Sequence, residues 1–236
     1  MILTAPLLLY IETSTEVCSV AVSSGDNVIC SRVLREPKSH ARVIAPMVDE
    51  MMRELSVDMS DFDAVVVSEG PGSYTGLRVG VSLAKGLCFG SGKPLISVSS
   101  LDLLFNLAVD HLRQDVVSYI VPMIDARRME VYTAVYDRNA IRVEPVQAMV
   151  IDGDSFRNYL DKGLTVFCGD GSEKIKIVIE HPNALFTDIE SVAHGMVKSA
   201  LVKFNEKRFE DVAYFEPFYL KDFIAGIPKN GIRGLS

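Results

Sequence analysis

The chain is 236 residues long, 48% hydrophobic and carries a net charge of −7. That acidic balance excludes a freestanding nucleic-acid binder, which needs a basic footprint, and the length suffices for one large core or two smaller ones. A mean hydropathy of +0.22 points to a buried oligomer surface, yet no apolar run reaches transmembrane length.

The opening residues 1–11 are apolar, lack a basic flank and are broken by Pro6, so they predict the approach to a first buried strand rather than a signal peptide. A cytoplasmic chain is expected. Residues 7–11 form that strand. Residues 17–23 alternate and turn through Ser24-Gly25-Asp26-Asn27 into 28–34, a hairpin pattern. Residues 39–55 carry Val43, Ile44, Met47, Val48, Met51, Met52 and Leu55 at helical spacing. Pro46 fits this helix only in its first turn or at a kink. A buried strand at 64–67, a helix at 77–88, a strand at 95–98 and a helix at 100–112 follow. Further on, strands are expected at 119–124, 131–136, 140–143 and 164–168. A helix is expected at 189–204, with Asp188 as its N-cap.

The run Gly70-Pro71-Gly72-Ser73-Tyr74-Thr75-Gly76-Leu77-Arg78-Val79-Gly80 joins the 64–67 strand to its helix. Strand, glycine turn and helix is a layout shared with anion-binding loops. No Gly-Lys-Ser/Thr closes it, however, so it is not a P-loop. Gly76, Gly80 and Ala84 recur every fourth residue and leave one helical face nearly flat, where a second helix can approach closely. A glycine costs about 1 kcal/mol inside a helix, so this stripe predicts a packing role.

The four cysteines, Cys18, Cys30, Cys88 and Cys168, form no CxxC pair and read as reduced, small apolar residues. No two of His40, His111, His181 and His194 are close in sequence. Position 44, one turn after His40, is Ile44, so an H-x-x-x-H zinc pair is missing a leg. Ser73 lies outside any G-x-S-x-G elbow.

The second half restarts the first. Ile11-Glu12 placed over Ile124-Asp125 brings Val20-Ala21-Val22 onto Thr133-Ala134-Val135 without a gap. A strand ending in an acidic residue and followed by a hairpin thus occurs twice. The fold class expected is α/β, with two tandem lobes of mixed β-sheets flanked by helices. The lobes span 1–112 and 113–236, and the tail after about 223 lacks periodicity.

Two such lobes resemble the actin-like/Hsp70/sugar-kinase superfamily, of ribonuclease H-like type. That resemblance implies that Glu12, Thr13, Asp125 and Arg127 stand at phosphate and metal positions. The turns Thr13-Ser14-Thr15-Glu16 and Ala126-Arg127-Arg128-Met129-Glu130 contain no glycine to bring backbone amides onto a phosphate. Each also places a carboxylate, Glu16 or Glu130, beside it. Arg127 and Arg128 read either as anion contacts or as solvated hairpin residues, and Glu12 and Asp125 either as vestigial ligands or as strand-end turn residues.

A narrower resemblance spans almost the whole chain. Ile11-Glu12-Thr13-Ser14-Thr15, the Gly70–Arg78 run, Ile124-Asp125-Ala126-Arg127-Arg128-Met129-Glu130-Val131-Tyr132 and Glu216-Pro217-Phe218-Tyr219-Leu220-Lys221 resemble the TsaB (YeaZ) family. Glu12 stands where that family often has Asp, and Lys221 where it often has Arg. The resemblance implies a non-catalytic subunit of the bacterial tRNA threonylcarbamoyladenosine machinery, needing no cofactor or metal of its own. It implies pairing with the catalytic subunit TsaD and with itself, a complex that includes the ATPase TsaE, and contact with tRNA only through that complex. It places the docking face on the two first-lobe helices, hence on Val43, Met47, Met51, Gly76, Leu77, Gly80 and Ala84. The rival readings are an ATP-dependent small-molecule kinase of the same superfamily and, more remotely, an M22-type glycoprotease-like metallopeptidase.

Overall fold

The computed structural model describes residues 5–112 and 116–221. Residues 1–4, the join at 113–115 and the tail after 223 lie outside the described residues.

The first lobe opens with an antiparallel meander, β1 (Leu7–Glu12), β2 (Cys18–Ser24) and β3 (Asn27–Leu34). It continues through α1 (His40–Leu55), β4 (Ala64–Gly70), α2 (Tyr74–Ser91), β5 (Leu95–Ser99) and α3 (Ser100–His111). The second opens with β6 (Tyr119–Asp125), β7 (Glu130–Asp137) and β8 (Arg142–Val150). It continues with α4 (Arg157–Leu160), β9 (Thr165–Cys168), α5 (Asp170–Glu173) and β10 (Ala184–Thr187). A 3-10 turn, Ala193–Met196, then leads into α6 (Val197–Asn205). The strand orders are β3-β2-β1-β4-β5 and β8-β7-β6-β9-β10, one topology used twice. Among the described residues no helix is long and apolar enough to cross a membrane.

The duplication holds, but its gapless alignment slips. Ile11 pairs with Val20 across the first hairpin, whereas Ile124 pairs with Tyr132 and Thr133 with Met123. The second turn is one residue shorter, so Tyr132, not Thr133, is the partner equivalent to Val20. Other boundaries also move. Helix α2 begins three residues earlier than expected, because Ser73 is its N-cap and accepts the Gly76 N–H at 3.2 Å. Pro46 sits beyond the first turn of α1, on the exposed side, where water can reach the carbonyl it leaves unpaired. The long helix expected at 189–204 is cut short, and Asp188 does not cap it. Val192 is extended, and the Ala193 N–H is taken by the Ser19 hydroxyl of the first lobe at 2.8 Å. The amphipathic spacing is real, but a tertiary hydrogen bond replaces the first helical turn.

Three apolar layers result. On one face of the first sheet, Leu9, Ile11, Val20, Val65 and Val67 meet Ile44, Val48 and Met51 of α1 and Val81, Ala84 and Cys88 of α2. On its other face, Leu8, Tyr10 and Val66 share a single core with α3, Ala193, Met196, Val197, Ala200 and the inner residues Ile120, Ile124 and Ala134 of the second sheet. The outer face of the second sheet buries Val121, Met123 and Phe167 against Phe156, Leu160, Ile175 and Ile179. Each fully buried aliphatic side chain contributes about 1.5–3 kcal/mol, so the shared layer holds the lobes firmly at their base. Residues 193–205, expected within the second lobe, pack on this first-lobe face because their apolar stripe completes it. All four cysteines are free, and burial pushes the thiols of Cys18 and Cys168 up to about 12 and that of Cys88 to about 11. At neutral pH these three remain unreactive thiols.

Candidate functional site

Strands β1 and β6 hold the same place in the two sheets and each ends in an acidic residue, at the strand ends where open α/β sheets have their ligand cleft. The two carboxylates have different surroundings.

Glu12 is completely buried. Its Oε1 accepts the Ser14 N–H at 2.6 Å and the Ser14 hydroxyl at 2.5 Å. Its Oε2 has no hydrogen-bond partner among the described residues. Because Ile11 pairs with Val67, Glu12 lies beside Ser68, and Ser191 approaches from the segment before the 3-10 turn. Neither hydroxyl meets hydrogen-bond geometry with a partner among the described residues. Burial raises the Glu12 carboxyl above the ordinary range, opposed by Ser14 and, more weakly, by Ser68 and Ser191.

The turn after Glu12 is covered by the chain itself. The Ser73 N–H donates to the Ser14 carbonyl at 2.7 Å. A Cβ on Gly76 would stand 2.1 Å from the Thr13 carbonyl oxygen, and one on Gly80 would stand 2.2 Å from Thr13 Oγ1. The glycine stripe therefore lets the backbone of α2 lie directly on the β1–β2 turn. His40 completes the seal, with Nε2 3.0 Å from the Thr15 carbonyl oxygen. The first leg of the absent zinc motif is thus a buried structural histidine.

These contacts correct the expected docking stripe. Met51, Gly76, Leu77, Gly80 and Ala84 are buried inside the chain. They face its own core and turn, so they present nothing to a partner. Val43 and Met47 remain half-exposed. Sequence spacing found the flat helical face but could not tell which neighbour lies on it. The exposed side of α2 has its own small stripe, Ser82, Gly86 and Gly90, which sequence reading passed over. A Cβ at Gly86 or Gly90 would meet nothing within 4 Å. Phe89 beside them is 86% exposed, and Val79 and Leu83 are half-exposed beside α1.

Asp125 is open to solvent. Its Oδ1 accepts the Arg127 N–H at 2.6 Å and the Lys174 ammonium at 2.7 Å, and its own N–H donates to Asp170 at 3.1 Å. Arg127 and Arg128 both adopt left-handed backbone, with φ of 71° and 51°, and both side chains are exposed. Glu130 pairs with Lys221 of the C-terminal segment. Gly169-Asp170-Gly171, which follows β9, has its two glycines packed against β6 rather than facing open space. A Cβ on Gly169 would stand 2.2 Å from the Met123 carbonyl oxygen, and one on Gly171 would stand 2.9 Å from the Ile124 carbonyl carbon. Of the four positions at the cleft, Asp125 and Arg127 reach solvent, while Glu12 and Thr13 are sealed.

Relatives share this frame along nearly its whole length. The tRNA threonylcarbamoyladenosine biosynthesis protein TsaB of Escherichia coli strain K12 is 30% identical over 229 residues, covering 92% of this chain and 96% of its own. The chain belongs to the TsaB family. The TsaB of Bacillus subtilis strain 168 is 31% identical over 91% of this chain and 93% of its own. YeaZ from Pseudomonas aeruginosa superposes with a TM-score of 0.77 at 27% identity, covering 91% of this chain and 100% of that structure. A protein-family model described as TsaD, tRNA N6-adenosine threonylcarbamoyltransferase, matches residues 34–229.

Proposed function

We propose that this TsaB-family chain is a non-catalytic partner subunit in tRNA threonylcarbamoyladenosine biosynthesis. It binds and supports a TsaD-type catalytic subunit, works in a complex with TsaE, and pairs with itself. The observation that carries the non-catalytic reading is the seating of α2 on the β1–β2 turn. A phosphate-binding hairpin needs amides aimed into open space. Here the carbonyls of Thr13 and Ser14 are turned onto the Gly72–Gly80 backbone, and Glu12 is fully buried with its Oε1 held by Ser14. On the other side of the cleft, Lys174 already neutralises Asp125.

The docking face is the outer side of α1 and α2: Val43 and Met47 with Val79 and Leu83, and the flat Ser82–Gly86 strip beside Phe89. Methionine and small residues suit an adaptable helix-on-helix contact. Contact with tRNA runs through the complex, because a net charge of −7 opposes independent binding to a phosphate backbone.

Gly86→Arg is the discriminating variant. Its side chain enters open space, so circular dichroism stays unchanged, while the docking face gains bulk and charge. In size-exclusion chromatography with light scattering, the wild-type chain forms a complex with its own organism's TsaD homologue, and Gly86→Arg weakens it by about tenfold or more. Absence of a wild-type complex, or indifference to arginine at position 86, would overturn the proposal. So would sustained Mg-ATP turnover abolished by Asp125→Asn, which is what the kinase reading requires.

A further inference from the structure

The Glu216–Lys221 motif is untouched by this function, yet the segment leading to it is anchored along its whole length. After α6 the chain runs in irregular backbone over the first lobe. Glu210 bridges to Leu95, its N–H donating to the Leu95 carbonyl at 2.8 Å, while its carboxylate accepts the Ser97 hydroxyl at 2.6 Å. Lys85 of α2 donates to the carbonyls of Ala213 at 3.2 Å and Phe215 at 2.9 Å. The Phe218 N–H donates to the Glu69 carbonyl at 2.7 Å, at the C-terminal end of β4. The Tyr219 hydroxyl accepts from Arg78 Nε at 3.1 Å, and its ring lies 4.7 Å from that of Tyr74. The last described residue, Lys221, crosses to the second lobe and pairs with Glu130, at the start of β7.

Gly70 shows that the fold accommodates this path. Its φ is +113°, and a Cβ there would stand 2.7 Å from the Phe218 carbonyl oxygen. The first glycine of the Gly70–Gly80 run is thus the seat of the Glu216–Lys221 motif. The two lobes share an apolar core at their base. Away from that core, the segment joins the end of β4 to the start of β7 by polar contacts.

We propose that residues 210–221 are a latch that ties the C-terminal end of β4 to the start of β7, with Phe218 and Tyr219 gripping the first lobe and Lys221 gripping the second.

Native-state hydrogen exchange of the full chain tests the latch. Phe218→Pro removes the amide donor to Glu69, and Lys221→Glu reverses the charge facing Glu130. Both changes lie at exposed positions. Each is expected to speed exchange about tenfold or more at the Ser14 amide in the first lobe and at the Arg127 and Glu130 amides in the second, with α1 unchanged. Combining Lys221→Glu with Glu130→Lys restores protection. Faster exchange confined to residues 208–221 would overturn the proposal, as would a charge swap no better protected than either single variant.

Discussion

Gly76→Ala lowers the stability of the folded chain by about 2–3 kcal/mol, although alanine is the better helix former by about 1 kcal/mol. The methyl group would lie 2.1 Å from the Thr13 carbonyl oxygen. A backbone oxygen cannot rotate away, so either α2 or the β1–β2 turn must move. The Ser73–Ser14 hydrogen bond and the seal over Glu12 move with it. Gly86→Ala is the internal control, with the same residue types in the same helix and no atom within 4 Å of the new methyl. It is expected to raise stability by about 1 kcal/mol. Urea denaturation of both variants measures the contrast. Equal behaviour would mean that the glycine stripe does not support α2 on the turn. Gly80→Ala adds a further arm. Its methyl would meet Thr13 Oγ1, a buried hydroxyl with no partner among the described residues. Thr13→Ala therefore relieves the clash, and the two substitutions couple favourably instead of adding.

Glu12→Gln is expected to stabilise the chain at pH 7 and to leave it unchanged near pH 4. Burial raises the Glu12 carboxyl in the folded state, whereas in the unfolded chain it titrates near about 4.3. Below that pH both states hold the proton, and Glu12 contributes no pH dependence. As pH rises past the unfolded value, the unfolded chain releases its proton and the folded chain retains it. Stability therefore falls until the folded value is passed. Glutamine keeps an oxygen for the two Ser14 bonds. It also places an amide donor near the unpartnered Ser68 and Ser191 hydroxyls, and it does not ionise. Denaturation midpoints of both proteins from pH 4 to pH 8 should diverge steadily upward. Parallel profiles would show that Glu12 is not the buried acid this geometry describes.

The architecture and the family were legible in the residues. Alternating and continuous apolar runs marked both meanders and the buried β4, because a strand covered on both faces has no polar side to show. The Gly70–Arg78 and Ile124–Tyr132 runs marked the family; in them Gly72 and Gly76 serve a close backbone approach and Arg127 and Arg128 a constrained turn. The α1 stripe was legible for the same reason, since helical periodicity is a one-dimensional signal. What sequence alone did not show is which neighbour lies against the glycine face and against residues 189–192. The stripe of Gly76, Gly80 and Ala84 looks alike whether a second protein or the chain's own turn lies on it. Residues 189–192 carry helical spacing, yet Ser19, 174 residues before Ala193 in sequence, takes the amide that would begin the helix.

The sequence by itself determined two α/β lobes of one design, the family, and the absence of glycine from both cleft turns, because these follow from local residue type and order. Only the tertiary structure decided that the glycine stripe is internal, that Glu12 is sealed while Asp125 is open, that residues 193–205 return to the first lobe, and that Lys221 reaches across to Glu130. Those outcomes depend on contacts between residues distant in the chain, where packing distance rather than periodicity selects the neighbour.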